Sequence, residues 1–94
     1  MSDTAFSGTI IPLRLKLTQR ARAHRIGQAH MVYVMSHYRA QEGVRPTGEP
    51  ELTWIGEDDR GVELRIIAVP QEPDGPGRPV LLVIHCMPTW MERN

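Results

Sequence analysis

A single histidine interrupts the most apolar stretch of the chain, the segment VLLVIHCMPTW that begins at Val80. This run is typical of a buried strand, and Pro88 ends it soon after His85. Successive side chains of a strand point to opposite faces, so His85 is predicted to lie on the face opposite the core. The side chains predicted to face the core are Val80, Leu82, Ile84 and Cys86. Those predicted to share the open face are Leu81, Val83, His85 and Met87.

An arginine and a glutamate occupy the corresponding face of the preceding predicted strand, VELRIIAV. Alternation puts Glu63 and Arg65 opposite an apolar set, on the face predicted for His85. The apolar set is Val62, Leu64, Ile66 and Ala68. A histidine can move a proton to or from a ribose hydroxyl, and an arginine can stabilise charge that builds on phosphorus. The alternative is that His85 fills a half-exposed sheet position and hydrogen-bonds a neighbour.

Basic residues surround a short predicted helix, QRARAHRI. Arg20 and His24 are four residues apart, and Arg22 and Arg25 lie close to them, so the helix could bind phosphate groups. A solvated helix that contacts another protein is the alternative reading.

The formal net charge of zero hides an uneven distribution. The segment from Pro12 to Pro46 has seven Lys or Arg residues and one acid, whereas the segment from Thr47 to Asn94 has four Arg residues and nine acids. Arginine suits bidentate contacts to phosphate and carboxylate, so the first half is a candidate surface for nucleic acid or another anion. A solvated basic face without a ligand stays an open alternative.

No metal site and no cofactor are expected. His30 and His37 lie two helical turns apart, about 10.5 Å along the axis, which is too far for one zinc ion. There is no close Cys pair and no H-E-x-x-H pattern. The single cysteine, Cys86, alternates with His85 and is predicted to be a small buried side chain, which argues against a Cys–His nucleophilic pair.

The predicted order of elements is strand, helix, helix and then three antiparallel strands. Residues 1–9 are predicted to be disordered, and residues 10–94 to form a single domain. Two helices are expected to pack on one face of a mainly antiparallel sheet of three or four strands, which is an α+β two-layer fold. The predicted elements are a strand over 10–17, helices over 19–26 and 28–41, a hairpin across EDDRG, and a strand over 80–87. The stripe predicted to be buried on the second helix is Ala29, Met31, Val32, Met35 and Tyr38.

Nothing in the sequence predicts a membrane segment or an export signal. There is no run of about 18 apolar residues, and the N-terminus lacks a charged region followed by an apolar one. With one thiol, the chain is expected in the cytoplasm.

Three segments together resemble the small toxins of bacterial type II toxin–antitoxin systems, in the BrnT-like branch of the RelE/ParE superfamily. They are TQRARAHRIG, TWIGEDDRGVELRIIAV and LLVIHCMPTWMER, and the resemblance covers most of residues 13–93. Its most specific parts are Trp54-x-Gly56, Gly61-x-x-Leu64 and Ile84-His85-x-Met87-Pro88 followed by Arg93. The resemblance implies a RelE/ParE-like toxin domain over residues 10–94.

What the resemblance implies for function is a metal-independent endoribonuclease that cleaves RNA at a 2′-hydroxyl and inhibits translation. The partners would be RNA, including ribosome-bound messenger RNA, and a cognate DNA-binding antitoxin that holds the toxin inactive in a hetero-oligomer. The catalytic residues would be His85, Arg65 and Arg93. The RNA-binding residues would be Arg20, Arg22, His24 and Arg25.

Two features keep other functions open. Arg65 stands where such sequences often carry an acidic residue. The superfamily also includes gyrase poisons without nuclease activity, so a non-nuclease binding toxin and an inactive relative are alternatives.

Overall fold

The computed structural model describes residues 14–22, 26–71 and 80–93. The elements in this part of the chain are β1 (Arg14–Leu17), α1 (Gln19–Arg22), α2 (Gln28–His37), β2 (Gln41–Val44), β3 (Pro50–Glu57), β4 (Glu63–Gln71), β5 (Val80–Pro88) and a C-terminal 3-10 helix (Thr89–Arg93). The strands form one sheet in the order β1-β5-β4-β3-β2. Only the β1–β5 pair is parallel.

The α+β class is therefore confirmed, but the predicted strand count is wrong. The described residues form a mixed sheet of five strands instead of three or four. The missed strand is β2, whose first residue, Gln41, was predicted to end a helix and whose other three residues were assigned to no element. All four residues of β2 are exposed, so the strand is defined by its hydrogen bonds to β3 and has no apolar alternation to reveal it.

Helix α2 is shorter than predicted, and the structure describes the first four residues of the other predicted helix as α1. Thr18 caps the start of helix α1, because the Ala21 backbone N–H donates to the Thr18 Oγ1 at 3.1 Å. The rest of that predicted helix, residues 23–25, lies outside the described residues, as do residues 1–9 with their predicted disorder and residues 10–13 of the first predicted strand. Helix α2 ends at His37, since Tyr38 already has extended backbone angles.

One side of the sheet packs against the helices. On α2 the buried residues are Met31, Val34 and Met35. The predicted stripe was therefore partly wrong, because Ala29, Val32 and Tyr38 are exposed. The other buried members of this core are Ala21, Leu52, Trp54, Leu64, Ile66, Ala68, Leu81, Val83 and Cys86. The opposite side of the sheet, called here the open face, carries His85 and Arg65.

A β-bulge in β5 changes which side chains of the last strand reach the core. Ile67 is paired with His85, but the next residue of β4, Ala68, is paired with Val83, which leaves Ile84 as an extra residue. Before the bulge Leu81 and Val83 face the core; after it Cys86 does. The prediction that Leu82 and Ile84 face the core with Cys86 was therefore wrong, because strict alternation ignored the extra residue. The open-face position of His85 and the buried position of Cys86 agree with the prediction.

The predicted hairpin between β3 and β4 is confirmed, and the buried carboxylate of Asp58 holds its turn. Asp58 Oδ1 accepts hydrogen bonds from the backbone N–H groups of Arg60 and Val62, at 2.8 and 3.1 Å. Asp58 Oδ2 accepts from the Arg60 guanidinium at 2.6 and 3.0 Å. Burial raises the pKa of Asp58, but these hydrogen bonds and the Arg60 charge outweigh it and hold the pKa below its ordinary value. Gly61 takes the positive φ of 80° that closes the turn.

No helix in residues 14–22, 26–71 or 80–93 is long and apolar enough to cross a bilayer.

The Tyr38 ring explains why glycine stands at position 56. Gly56 is buried on the core side of β3, and a Cβ built there would overlap the ring atoms of Tyr38. Gly43 in β2 is different, since a Cβ there would make an ordinary contact at 3.8 Å with the Glu51 side chain. The glycine of the Trp54-x-Gly56 pattern is thus required by the packing of Tyr38.

We expect Gly56→Ala to destabilise the protein by about 1–3 kcal/mol, because the methyl group forces the Tyr38 ring out of its position. Thermal and urea unfolding would measure the change. Gly43→Ala is the matched control and should alter the free energy of unfolding by about 0.5 kcal/mol or less. In a Tyr38→Ala background the cost of Gly56→Ala should fall, and equal costs in both backgrounds would contradict this explanation.

Candidate functional site

A carboxylate from the C-terminal 3-10 helix links the two predicted catalytic residues of the sheet. Glu92 Oε1 accepts a hydrogen bond from Arg65 Nε at 2.8 Å. Glu92 Oε2 lies 2.7 Å from His85 Nε2. Each oxygen thus serves one partner, and the three side chains form one cluster on the open face, called here the Glu92 cluster.

The sheet and the 3-10 helix together position this cluster. Arg65 lies opposite Met87 in the β4–β5 ladder, and His85 lies opposite Ile67, so both side chains leave neighbouring strands on the same face. Residues three apart share one side of a 3-10 helix, which puts Thr89 and Glu92 in one row. Thr89 Oγ1 donates to Glu63 Oε1 at 2.6 Å while Glu92 contacts the two basic side chains. Thr89 and Glu92, one at each end of this row, therefore both contact side chains of the sheet.

The protonation state of Glu92 follows from its partners. Its side chain is 22% exposed. Burial raises the pKa of Glu92, but the hydrogen bonds from Arg65 and His85 and the charges of those groups outweigh it, so the pKa lies below the ordinary value. Glu92 is therefore a carboxylate at neutral pH and can only accept hydrogen bonds.

An ionised Glu92 also fixes the roles of its two partners. Because the carboxylate accepts, the proton of the shared contact belongs to His85 Nε2. His85 Nδ1 makes no hydrogen bond to any described residue, so in the neutral ring it can accept a proton. Arg65 uses Nε for Glu92, which leaves its two terminal amino groups for an anion. The side chains of His85 and Arg65 are 28% and 39% exposed, so a ligand can reach both.

The structure brings together only part of the predicted site. Arg65 and His85 meet through Glu92, whereas Glu63 bonds Thr89. Arg93 is the last residue of the 3-10 helix, and its side chain lies outside the described part of the chain.

The two predicted RNA-binding residues that the structure describes belong to the helix side of the sheet. Arg20 and Arg22 are exposed on α1, whose Ala21 packs in the core on the face opposite the Glu92 cluster. His24 and Arg25 lie outside the described residues. The predicted role of these four residues in binding RNA stays a prediction.

Glu92 is the functional residue that sequence reasoning missed. It lies seven residues after His85, and Pro88 between them ends the strand. A turn back onto the sheet after Pro88 would have been the signal, with Thr89 and Glu92 spaced for one side of a 3-10 helix. The alternation of side chains along the strand stops at Pro88, so it could not predict where Glu92 lies.

A second polar group joins α2 to the β3–β4 turn. His30 Nδ1 lies 2.5 Å from Asp59 Oδ1, and Asp58 offers another carboxylate oxygen, with all three atoms within 4.8 Å of one another. These ligand types suit a divalent ion. The Asp58 oxygens already accept four hydrogen bonds, so an ion would have to displace the Arg60 guanidinium.

We expect Glu92→Gln to lower the free energy of unfolding by about 1–2 kcal/mol at pH 7, because two charge-assisted hydrogen bonds weaken and the exposed Arg65 is already partly screened by water. Since the pKa of Glu92 is lower in the folded protein than in the unfolded chain, its stabilisation is complete above the unfolded value, about 4.3. It is lost as the pH falls through the folded value. Urea unfolding of wild type and variant at a series of pH values would measure this.

The matched control for that series is Glu42→Gln, which removes an exposed carboxylate of β2 that makes no hydrogen bond or ion pair with any described residue. Its effect should be small and almost independent of pH. A stability difference for Glu92→Gln that persists below the folded pKa would mean that the ion pairs do not cause it.

No protein-family model, curated protein or solved structure matches this chain.

Proposed function

We propose that the Glu92 cluster is the active site of a metal-independent endoribonuclease. The observation that carries the proposal is that one ionised carboxylate orients an imidazole and a guanidinium side by side. This arrangement leaves one proton-accepting nitrogen on His85 and the terminal amino groups of Arg65 without a partner among the described residues, on side chains that share the open face. A proton acceptor beside a cationic anion-binding group is what cleavage of a phosphodiester by its own 2′-hydroxyl requires.

The chemistry uses the three groups in separate roles. His85 Nδ1 takes the proton of a ribose 2′-hydroxyl, and the 2′-oxygen forms a bond to the adjacent phosphorus. The bond from phosphorus to the 5′-oxygen of the next nucleotide breaks, and the proton on His85 passes to that leaving oxygen. The products are a 2′,3′-cyclic phosphate and a 5′-hydroxyl end.

Arg65 and Glu92 stabilise the charges that form during the reaction. Arg65 stabilises the negative charge that builds on the phosphate oxygens as the new bond forms. Glu92 holds His85 with its proton on Nε2 and stabilises the imidazolium formed during the reaction, as a carboxylate does in a catalytic triad. Arg93, at the end of the same 3-10 helix, is the further group that the family resemblance assigns to the phosphate.

Charge on the open face restricts how RNA approaches. Glu57 and Glu63 lie opposite each other at one end of the β3–β4 ladder and repel a phosphate backbone. RNA therefore approaches the Glu92 cluster from the side of the open face that is away from this glutamate pair.

The biological role we propose is that of a toxin in a type II toxin–antitoxin system that inhibits translation in the cytoplasm. The family resemblance supports this role. The excess of positive charge between Pro12 and Pro46 favours an acidic antitoxin, because opposite charges speed encounter and set the register of two proteins. Binding of that partner would hold the toxin inactive.

We expect the purified protein to cleave single-stranded RNA in the presence of EDTA and to leave cyclic phosphate ends. His85→Ala should lower the rate by about 100-fold or more, because the proton acceptor is lost. Glu92→Gln and Arg65→Gln should each lower it as well. Gel analysis of a labelled oligonucleotide would give the rates, with a 2′-deoxy nucleotide at the cleaved position as a substrate that should not react.

His37→Ala is the matched control, because His37 is exposed on α2 in the helix layer. It should cleave RNA at the wild-type rate. Cleavage that survives His85→Ala in a folded protein would remove His85 from the mechanism, and cleavage that stops in EDTA would contradict the metal-independent reaction.

We also expect induced expression of the chain to arrest bacterial growth, and co-expression of the cognate antitoxin to relieve the arrest. His85→Ala should relieve it at equal protein levels. Growth curves and immunoblots would test this, and pull-down of a small acidic protein from the natural host would identify the partner. If wild type and His85→Ala both arrest growth, the toxic activity does not depend on His85 and belongs to another surface of the protein.

A further inference from the structure

The two tryptophans of the chain have opposite environments. Trp54 is fully buried in the core, whereas Trp90 is 63% exposed on the 3-10 helix that carries Glu92. From this position we propose that Trp90 is the platform on which an unpaired nucleobase of the RNA stacks. This inference rests on the proposed ribonuclease function and assigns the substrate class, single-stranded RNA, to the same site.

Trp90 lies on the same short 3-10 helix as Glu92, the residue that contacts Arg65 and His85. Thr89 and Glu92 form the row that faces the sheet, and Trp90 belongs to another row of the three-residue turn. The rise between Trp90 and Glu92 is about 4 Å along the helix axis. The backbone of Trp90 therefore lies within one helical turn of the carboxylate that holds Arg65. A nucleotide whose phosphate contacts Arg65 would place its base against this indole.

Exposure of this side chain is unusual within its own segment. Its neighbours Thr89, Met91 and Glu92 are all partly buried, and Glu92 and Thr89 hold the helix against the sheet. The 3-10 helix is thus fixed against the sheet, but Trp90, its largest apolar side chain, stays exposed to water. Trp90 therefore contributes little hydrophobic stabilisation to the fold. A flat aromatic ring held on a fixed segment beside an anion-binding pair is the arrangement that binds single-stranded nucleic acid.

This platform selects unpaired bases over paired ones. In a duplex both faces of each base are already stacked, so only a base freed from its neighbours can cover the indole. Stacking also works with every base, because each one has a π-face, so Trp90 contributes affinity for single strands with little sequence preference.

The test compares two oligonucleotides with the same phosphates. One is a 2′-O-methyl RNA hexamer, which cannot be cleaved, and the other is an abasic chain of equal length. We expect the full-length protein to bind the hexamer about 10- to 100-fold more tightly than the abasic chain, by fluorescence anisotropy. Binding of the hexamer should also quench tryptophan emission, and Trp54 is too deeply buried to contribute to this signal.

Variants then assign the effect to one residue. Trp90→Ala should bind both oligonucleotides equally, at the affinity that wild type shows for the abasic chain, while Trp90→Phe keeps most of the preference. Tyr33→Ala is the matched control, since Tyr33 is a 36% exposed aromatic residue on α2, and it should behave as wild type. Thermal unfolding of each variant would check that the fold is intact.

The outcomes separate this inference from the proposed function. Equal binding of both oligonucleotides by a wild type that cleaves RNA would overturn the stacking role and leave the ribonuclease standing. A wild type that neither binds the hexamer nor cleaves RNA would remove the proposed function and the stacking role with it. A Trp90→Ala variant that keeps the base preference, but no longer binds the antitoxin, would reassign the indole to the protein partner.

Discussion

The extra residue in β5 decides the chemistry of the open face. Without the bulge at Ile84, the alternation that buries Leu81 and Val83 would carry His85 into the core, where an imidazole would need an internal partner. With it, Cys86 fills the core position and His85 turns to the face that carries Arg65. In the core, burial raises the pKa of the Cys86 thiol to about 11, with a further contribution from the charge of Asp58, so the thiol stays protonated and inert.

Once His85 and Arg65 share a face, a single carboxylate organises both. Two neighbouring cationic or polar donors would otherwise move independently, and Glu92 fixes them because each of its oxygens accepts from one partner. The same contact joins the C-terminal 3-10 helix to the sheet. The stability of the 3-10 helix and the alignment of the candidate catalytic groups therefore depend on the same ion pairs. These ion pairs also fix the segment on which Trp90 lies.

Sequence reasoning predicted the parts of the fold that periodicity controls. Leu64, Ile66 and Ala68 are buried as their alternation indicated, and Asp58 to Gly61 form the turn that their composition favours. Sequence reasoning failed where strand pairing or a local irregularity decides the structure. These places are the exposed strand β2 and the bulge beyond Val83. The same reasoning found two of the three residues of the Glu92 cluster, since Arg65 and His85 lie on strands and Glu92 does not.

The sequence by itself determined the α+β class, the hairpin, the buried cysteine and the presence of a histidine and an arginine on one face of the sheet. These follow from local preferences and from apolar patterns, which depend only on neighbours along the chain. The tertiary structure decided the five-stranded order, the phase of β5 on each side of Ile84, and the return of Glu92 to residues 7 and 27 positions away. Those features depend on hydrogen bonds and ion pairs between segments distant in sequence, and no periodic pattern records them.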